Sequence, residues 1–173
     1  MPERAARWWL WLPVSAGVVG LDQLTKHLVQ QTLTFGRNVE VTPFFNLVLA
    51  YNPGAAFSFL STAPGWQREL FIGIALAASA LIVYLLRKHA RDRMFCFALS
   101  LILGGALGNL IDRFVLHAVV DFLDFHLLGR HWPAFNLADS AITLGAAVLI
   151  WDTLWKGRRE AAGVGRQHRG GRS

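Results

Sequence analysis

Along the 173 residues of this chain, unbroken apolar runs alternate with short polar segments, and the runs have the length of bilayer crossings. Leu70–Leu86, Met94–Ile111 and Leu137–Trp155 each hold about 17–19 residues, close to the ~20 that span a hydrocarbon core. A fourth run, Trp8–Leu21, is only 14 residues long, so a spanning helix must continue through Asp22, Gln23 and Lys26. That continuation puts Asp22 toward the outer end of the first helix. The pattern predicts a mainly α, multi-pass membrane protein with four transmembrane helices at about 8–28, 68–86, 94–111 and 137–155.

Two longer polar segments, Gln30–Gln67 and Asp112–Asn136, fall between the first and second and between the third and fourth runs. In the first of them, Val39-Glu40-Val41 and Phe44–Tyr51 are rich in β-branched and aromatic residues, and Asn52-Pro53-Gly54 is a strong turn signal. A small outward-facing β-element is expected there. It is too small to stand alone, so it should lie over the helix ends. Residues 1–156 read as one membrane domain. Gly157–Ser173, rich in Gly and Arg, is expected to be a disordered basic tail.

Charge sets the orientation. The N-terminus (Arg4, Arg7), the link between the second and third runs (Arg87, Lys88, Arg91, Arg93) and the C-terminal tail hold 12 of the 17 basic residues. Short cytoplasmic flanks are enriched in Lys and Arg, so both termini are expected to be cytoplasmic. The net charge of +6 then reports topology and contact with anionic headgroups, and no nucleic-acid partner is expected. The first apolar run is followed by Asp22-Gln23-Leu24-Thr25-Lys26 instead of the small residues of a cleavage site, so the first helix is expected to stay. Cys96 has no second cysteine to bridge to and is expected to pack. The six histidines show no His-Glu-x-x-His spacing, which argues against a zinc-type intramembrane hydrolase.

Carboxylates in so apolar a chain need a reason, since an Asp in hydrocarbon costs roughly 2.5–3.5 kcal/mol even on lenient scales. Asp139 falls in the first turn of the fourth helix, where a carboxylate also serves as a capping acid. Asp112-Arg113 reads as an ion pair anchoring the end of the third helix. Asp121 and Asp124 could be solvated loop charges. Topology nevertheless brings Asp112, Asp121, Asp124 and Asp139 to one side of the membrane, near the ends of the third and fourth helices. Two of them in hydrogen-bond reach would share a proton near neutral pH, which is aspartic protease chemistry. Spacing alone does not choose the pair. Asp152 lies about 20 Å from Asp139 along the same helix, too far to join it, and should pair with nearby basic residues.

Five motifs carry a resemblance: Asp22-Gln23-Leu24-Thr25-Lys26, Asn52-Pro53-Gly54-Ala55-Ala56-Phe57-Ser58, Gly108-Asn109-Leu110-Ile111-Asp112-Arg113, Val120-Asp121-Phe122 and Phe135-Asn136-Leu137-Ala138-Asp139-Ser140. In this order and on this topology, residues 8–156 resemble lipoprotein signal peptidase, also called signal peptidase II. Pro53 departs from the family, which usually has Thr or another small residue there. The resemblance implies a bacterial inner-membrane aspartyl endopeptidase that cuts prolipoproteins just before a diacylglyceryl-modified cysteine. Asp121 and Asp139 would be the catalytic dyad, with Asp22, Asn52, Gly54, Asn109, Asp112, Arg113 and Asn136 lining or bracing the substrate site near the outer leaflet. It implies four helices with a small β-cradle and a short helix on the outer face, no metal or other cofactor, and inhibition by globomycin-type cyclic peptides. Membrane lipids would be its surroundings, and a monomer is expected. Trp8, Trp9, Trp11, Trp66, Trp132, Trp151 and Trp155 sit near the expected interfaces as anchors. A small transporter is the competing class. It would need polar groups or broken helices at the midplane, which the second and third runs lack.

Overall fold

The computed structural model describes residues 7–54 and 65–170. Arg4, Arg172 and the Ala55–Ser58 portion of the second motif lie outside the described residues. A 3₁₀ turn, Trp8–Trp11, leads into α1 (Leu12–Thr32), whose Pro13 occupies the first turn, where a missing N–H goes unnoticed. Strands β1 (Val39–Thr42) and β2 (Phe45–Asn52) follow, then α2 (Gln67–Lys88), α3 (Arg93–Val115), β3 (Val119–Leu127), β4 (Arg130–His131) and α4 (Leu137–Gly170). Asp92 caps α3 by accepting the Phe95 N–H at 3.3 Å, and Arg87 and Lys88 close α2 at the end where helix carbonyls favour cations.

Helices α2, α3 and α4 are long and apolar enough to cross a membrane. α1, at 21 residues or about 31 Å, has the length as well but carries Asp22 and Lys26 on its buried face. α3 is the axis of the bundle: 61% of its apolar window is buried, against 11% for α2 and 17% for α4. The other three helices pack on it, and the apolar surfaces they leave exposed are the ones a bilayer would cover.

Close approach is made by glycine. A Cβ on Gly108 would come within 2.5 Å of the Asp22 carboxylate, and one on Gly145 of α4 within 2.7 Å of the Ala98 carbonyl. Both helix contacts depend on the missing side chain. At the basic end, Ile82 and Leu86 of α2 pack with Cys96, Leu99 and Leu103 of α3, and Cys96 takes the packing place expected of it. There Lys156 joins α4 to the α3 cap by pairing with Asp92 and with Asp152, the latter at 2.5 Å, as expected for Asp152.

The sheet has the order β1-β2-β3-β4, all antiparallel. The first two strands match the β-element expected from residues 39–51. β3 does not: the Asp121–Asp124 stretch was expected as loop or interfacial chain and is instead a nine-residue strand paired with β2, Asp121 opposite Ala50 and Asp124 opposite Asn46. Its burial explains the misreading. Val119 through Phe122 are buried without alternation, because Val120 and Phe122 pack against Val29 at the end of α1 while Asp121 is covered by Asn52 and by Asn136 at the start of α4. Leu128 and Gly129, both at positive φ, make the two-residue turn into β4. Val29, Leu49, Val120 and Phe122 join the sheet to the end of α1. No short helix lies on the sheet side among the described residues.

α4 continues helical through Gly170, into the Gly157–Ser173 segment expected as a disordered basic tail.

Candidate active site

The sheet end of the bundle is organised around one buried cation. Lys26 extends from α1 and is 2% exposed, and its ammonium meets three acceptors: Asp22 Oδ2 at 2.8 Å, Asp112 Oδ2 at 2.8 Å and Asn109 Oδ1 at 2.9 Å. Three N–H donors find three acceptors, so no donor is left unsatisfied in this dry place. Asp22 turns its other oxygen to the Ala138 N–H at 2.9 Å, in the first turn of α4. Asp112 accepts the Val120 N–H at 3.1 Å and the Gln23 side chain at 2.9 Å, which ties α3 to the root of β3.

The neighbouring ion pair expected of Asp112 and Arg113 is not formed. Successive helix residues point about 100° apart, so Asp112 turns into the bundle toward Lys26 while Arg113 turns to the sheet side. Arg113 donates to the Gly54 carbonyl at 3.1 Å and to the Asn109 carbonyl at 3.2 Å, and stacks over Phe71. Gly54 is buried, and its N–H in turn donates to Asn52 Oδ1 at 3.0 Å. The Asn-Pro-Gly turn is thereby pinned to α3.

Two carboxylates, Asp121 and Asp139, have amide donors and, among the described residues, no ion pair. Asp121 accepts from Asn136 Nδ2 at 2.7 Å and from Asn52 Nδ2 at 3.1 Å. Asp139 accepts from Asn109 Nδ2 at 2.8 Å and from the Asn136 N–H at 3.3 Å. Asn136 is fully buried and serves both: its Oδ1 accepts the Asp139 N–H at 2.9 Å while its Nδ2 reaches Asp121, the Val120 carbonyl and Asn109 Oδ1. Burial, and after it the nearby Asp139 carboxylate, push the Asp121 carboxyl up to about 7.

Both carboxylates line a cavity of about 790 Å³ that also touches Asn52, Asn109, Arg113 and Trp132. Its wall continues down α4 through Ile142, Leu144 and Ala147, so the polar chamber opens onto an apolar slope. That combination can bind an extended polar chain at one end and a hydrocarbon group along the other.

Among the four acids that topology allowed, geometry separates the roles. Asp112 is spent on Lys26. Asp124 lies outside the cavity lining; although burial pushes its carboxyl up, bonds from His131 at 2.9 Å and Asn46 at 2.9 Å hold it below the usual range. Asn52, Asn109, Asn136 and Arg113 contact the remaining pair or the cavity wall, while Asp22 and Asp112 act one layer behind. Lys26 and Gln23 belong to this layer, and sequence reading did not single them out. The available signal was the four-residue spacing of Asp22 and Lys26, which passes for an ordinary surface pair on a helix.

Comparison with known proteins gives the family. The model of the family described as Signal peptidase (SPase) II matches residues 14–155. A protein named lipoprotein signal peptidase from Ralstonia nicotianae is 58% identical over 149 residues, covering 86% of each chain. Its namesake from Paraburkholderia phymatum is 57% identical over 144 residues, covering 83% of this chain and 87% of the relative. A solved bacterial membrane enzyme, determined by the in meso method, superposes with a TM-score of 0.77 at 35% identity, covering 86% of this chain and 89% of its own. Matched along nearly the whole bundle and sheet, the chain belongs to the signal peptidase II family.

Proposed function

We propose that this protein is an aspartic endopeptidase that removes the signal peptide from prolipoproteins immediately before the diacylglyceryl-modified cysteine, with Asp121 and Asp139 activating the attacking water. The observation that carries this reading is a contrast within one cluster. Asp22 and Asp112 are both ion-paired to Lys26, and Asp124 is bonded by His131 and Asn46 outside the cavity, whereas Asp121 and Asp139 share one cavity and are held by neutral amides. A pair held that way binds one proton between them near neutral pH. The ionised member takes a proton from water as it attacks the scissile carbonyl, and the protonated member donates to the carbonyl oxygen. The two then exchange roles as the amine departs.

Asn52, Gly54, Asn109, Arg113 and Asn136 position the pair and the peptide; Asp22 and Asp112 brace them. The apolar slope below Asp139 suits a substrate that arrives with its acyl chains already in the leaflet, and globomycin-type peptides would compete for the same chamber. In this reading α1 is the fourth span, both termini are cytoplasmic and the chamber lies near the outer leaflet surface of a bacterial inner membrane. The enzyme works as a monomer without a cofactor.

The test is cleavage of a diacylglyceryl-modified prolipoprotein by the purified protein in detergent with a chelator present. Wild type should cleave, and Asp121→Asn and Asp139→Asn should each lose at least about 100-fold, the scale of acid–base catalysis, while remaining folded. Activity surviving either substitution would remove that residue from the pair, and dependence on an added metal would replace the mechanism.

A further inference from the structure

We infer that Lys26 is a positioning residue for the reaction: by holding the Asn109 amide with its oxygen inward, it makes Asp139 the carboxylate that acts as base and leaves the shared proton on Asp121. The inference rests on the dyad reading above and assigns its two roles.

An amide can present either its oxygen or its NH₂ to a neighbour. The Asn109 oxygen receives two donors, the Lys26 ammonium at 2.9 Å and Asn136 Nδ2 at 3.2 Å. The reverse orientation would turn an NH₂ toward a cation and a second NH₂ in a buried place, so it is closed. The Asn109 NH₂ must therefore face Asp139 Oδ1, at 2.8 Å. The other Asp139 oxygen receives the Asn136 N–H at the start of α4, where the helix end adds positive potential. Asp121 also accepts two amides but sits on a strand, with no helix terminus, and 3% exposed.

The charged and titratable groups around Asp139 are few. α1 presents Asp22 and Lys26, α3 presents Asp112 and Arg113, and β3 presents Asp121. Asp22 and Asp112 both touch the Lys26 ammonium at 2.8 Å, two carboxylates on one cation, so the charge of Lys26 felt at Asp139 is opposed by that of Asp22, and the Asn109 amide is the bonded route from Lys26 to Asp139. The arrangement makes Lys26 dispensable for contact with substrate and necessary for the direction in which Asn109 points.

The test compares wild type, Lys26→Gln, Asn109→Ser and the double variant in the cleavage assay across pH. Lys26→Gln should lower kcat about 10- to 100-fold with KM changed less than about twofold, because binding is intact and the pair is misaligned. The acid limb of the kcat profile should move up by about one pH unit, since the base loses a donor to its ionised form. Asn109→Ser should show the same shift, and the double variant should be no worse than the poorer single variant. Loss of folded protein with an unmoved acid limb would make Lys26 purely structural and overturn the inference, as would additive single effects. If Lys26→Gln does not fold, the acid limb of Asn109→Ser decides alone: unmoved, it overturns the inference. Retained cleavage in Asp121→Asn or Asp139→Asn would instead strike the dyad reading beneath it.

Discussion

Asp22 on α1 accepts the backbone N–H of Ala138 on α4 at 2.9 Å, a bond across 116 residues that lands one position before Asp139. The first turn of α4 is therefore held by a side chain from the other end of the sequence. Asp22 in turn depends on Lys26, so anchoring and charge balance are one structure.

Asp22→Ala should unfold the sheet end of the bundle more than Asp22→Asn. The alanine removes both the Ala138 acceptor and the Lys26 partner, a loss of about 3–5 kcal/mol for breaking a buried pair. The asparagine keeps an oxygen for Ala138 and should fall between alanine and wild type. Thermal unfolding in detergent gives the ranking, and equal losses would show that the Ala138 bond is immaterial.

Asp121 makes stability depend on pH in a definite direction. Its folded carboxyl titrates at about 7 against an ordinary value of 3.8, so between these pH values the folded protein keeps a proton that the unfolded chain has lost. Stability from this group is fully present below pH 3.8, falls through the interval and reaches its minimum above about 7. Asp121→Asn removes the dependence. Its melting temperature relative to wild type should rise steadily from pH 4 to pH 7 and then level off; a gap that is flat with pH would contradict the raised titration.

Asp124 tests whether the right acids have been separated. Asn46 and His131 hold it outside the cavity lining, so Asp124→Asn should keep cleavage within about threefold of wild type. A loss as deep as that of Asp121→Asn would place Asp124 in the chemistry.

Gly108→Ala adds a methyl 2.5 Å from the Asp22 carboxylate, on the side where α1 and α3 meet. Overpacking of this kind costs about 1–3 kcal/mol, and here it also pushes Asp22 from Lys26 and Ala138. Both melting temperature and kcat should drop. Gly73→Ala, in α2 with open space around it, should be neutral or slightly stabilising by the same measurements.

The helices and the first two strands were legible because each has a period or a length that matches one environment: Leu70–Leu86 a bilayer, Phe44–Tyr51 a pleated surface. Residues 119–122 carry no such signature, being buried on both sides, and so a strand passed for interfacial loop. Lys26 was overlooked for a related reason. Its pairing with Asp22 one turn away looks the same on a solvated helix as in a core, and only Gly108 and Asp112 arriving from α3 make it buried. The choice of Asp121 and Asp139 among four acids came from the motif resemblance, since spacing left all four open. The geometry then supplies a physical difference between them, which partners hold each carboxylate, that no linear reading contains.

The spacing of Asp22 and Lys26 also bears on how such a chain is made. In the proposed topology α1 inserts as a span before α3 exists, and an unpaired charge entering hydrocarbon would resist insertion by roughly 2.5–3.5 kcal/mol. Four residues apart on one helix, the two side chains are spaced to pair within α1 itself, and in the folded protein they stand at 2.8 Å. In that topology the first helix carries its own counterion into the membrane, and Asp112 and Asn109 of α3 complete the set of partners around Lys26.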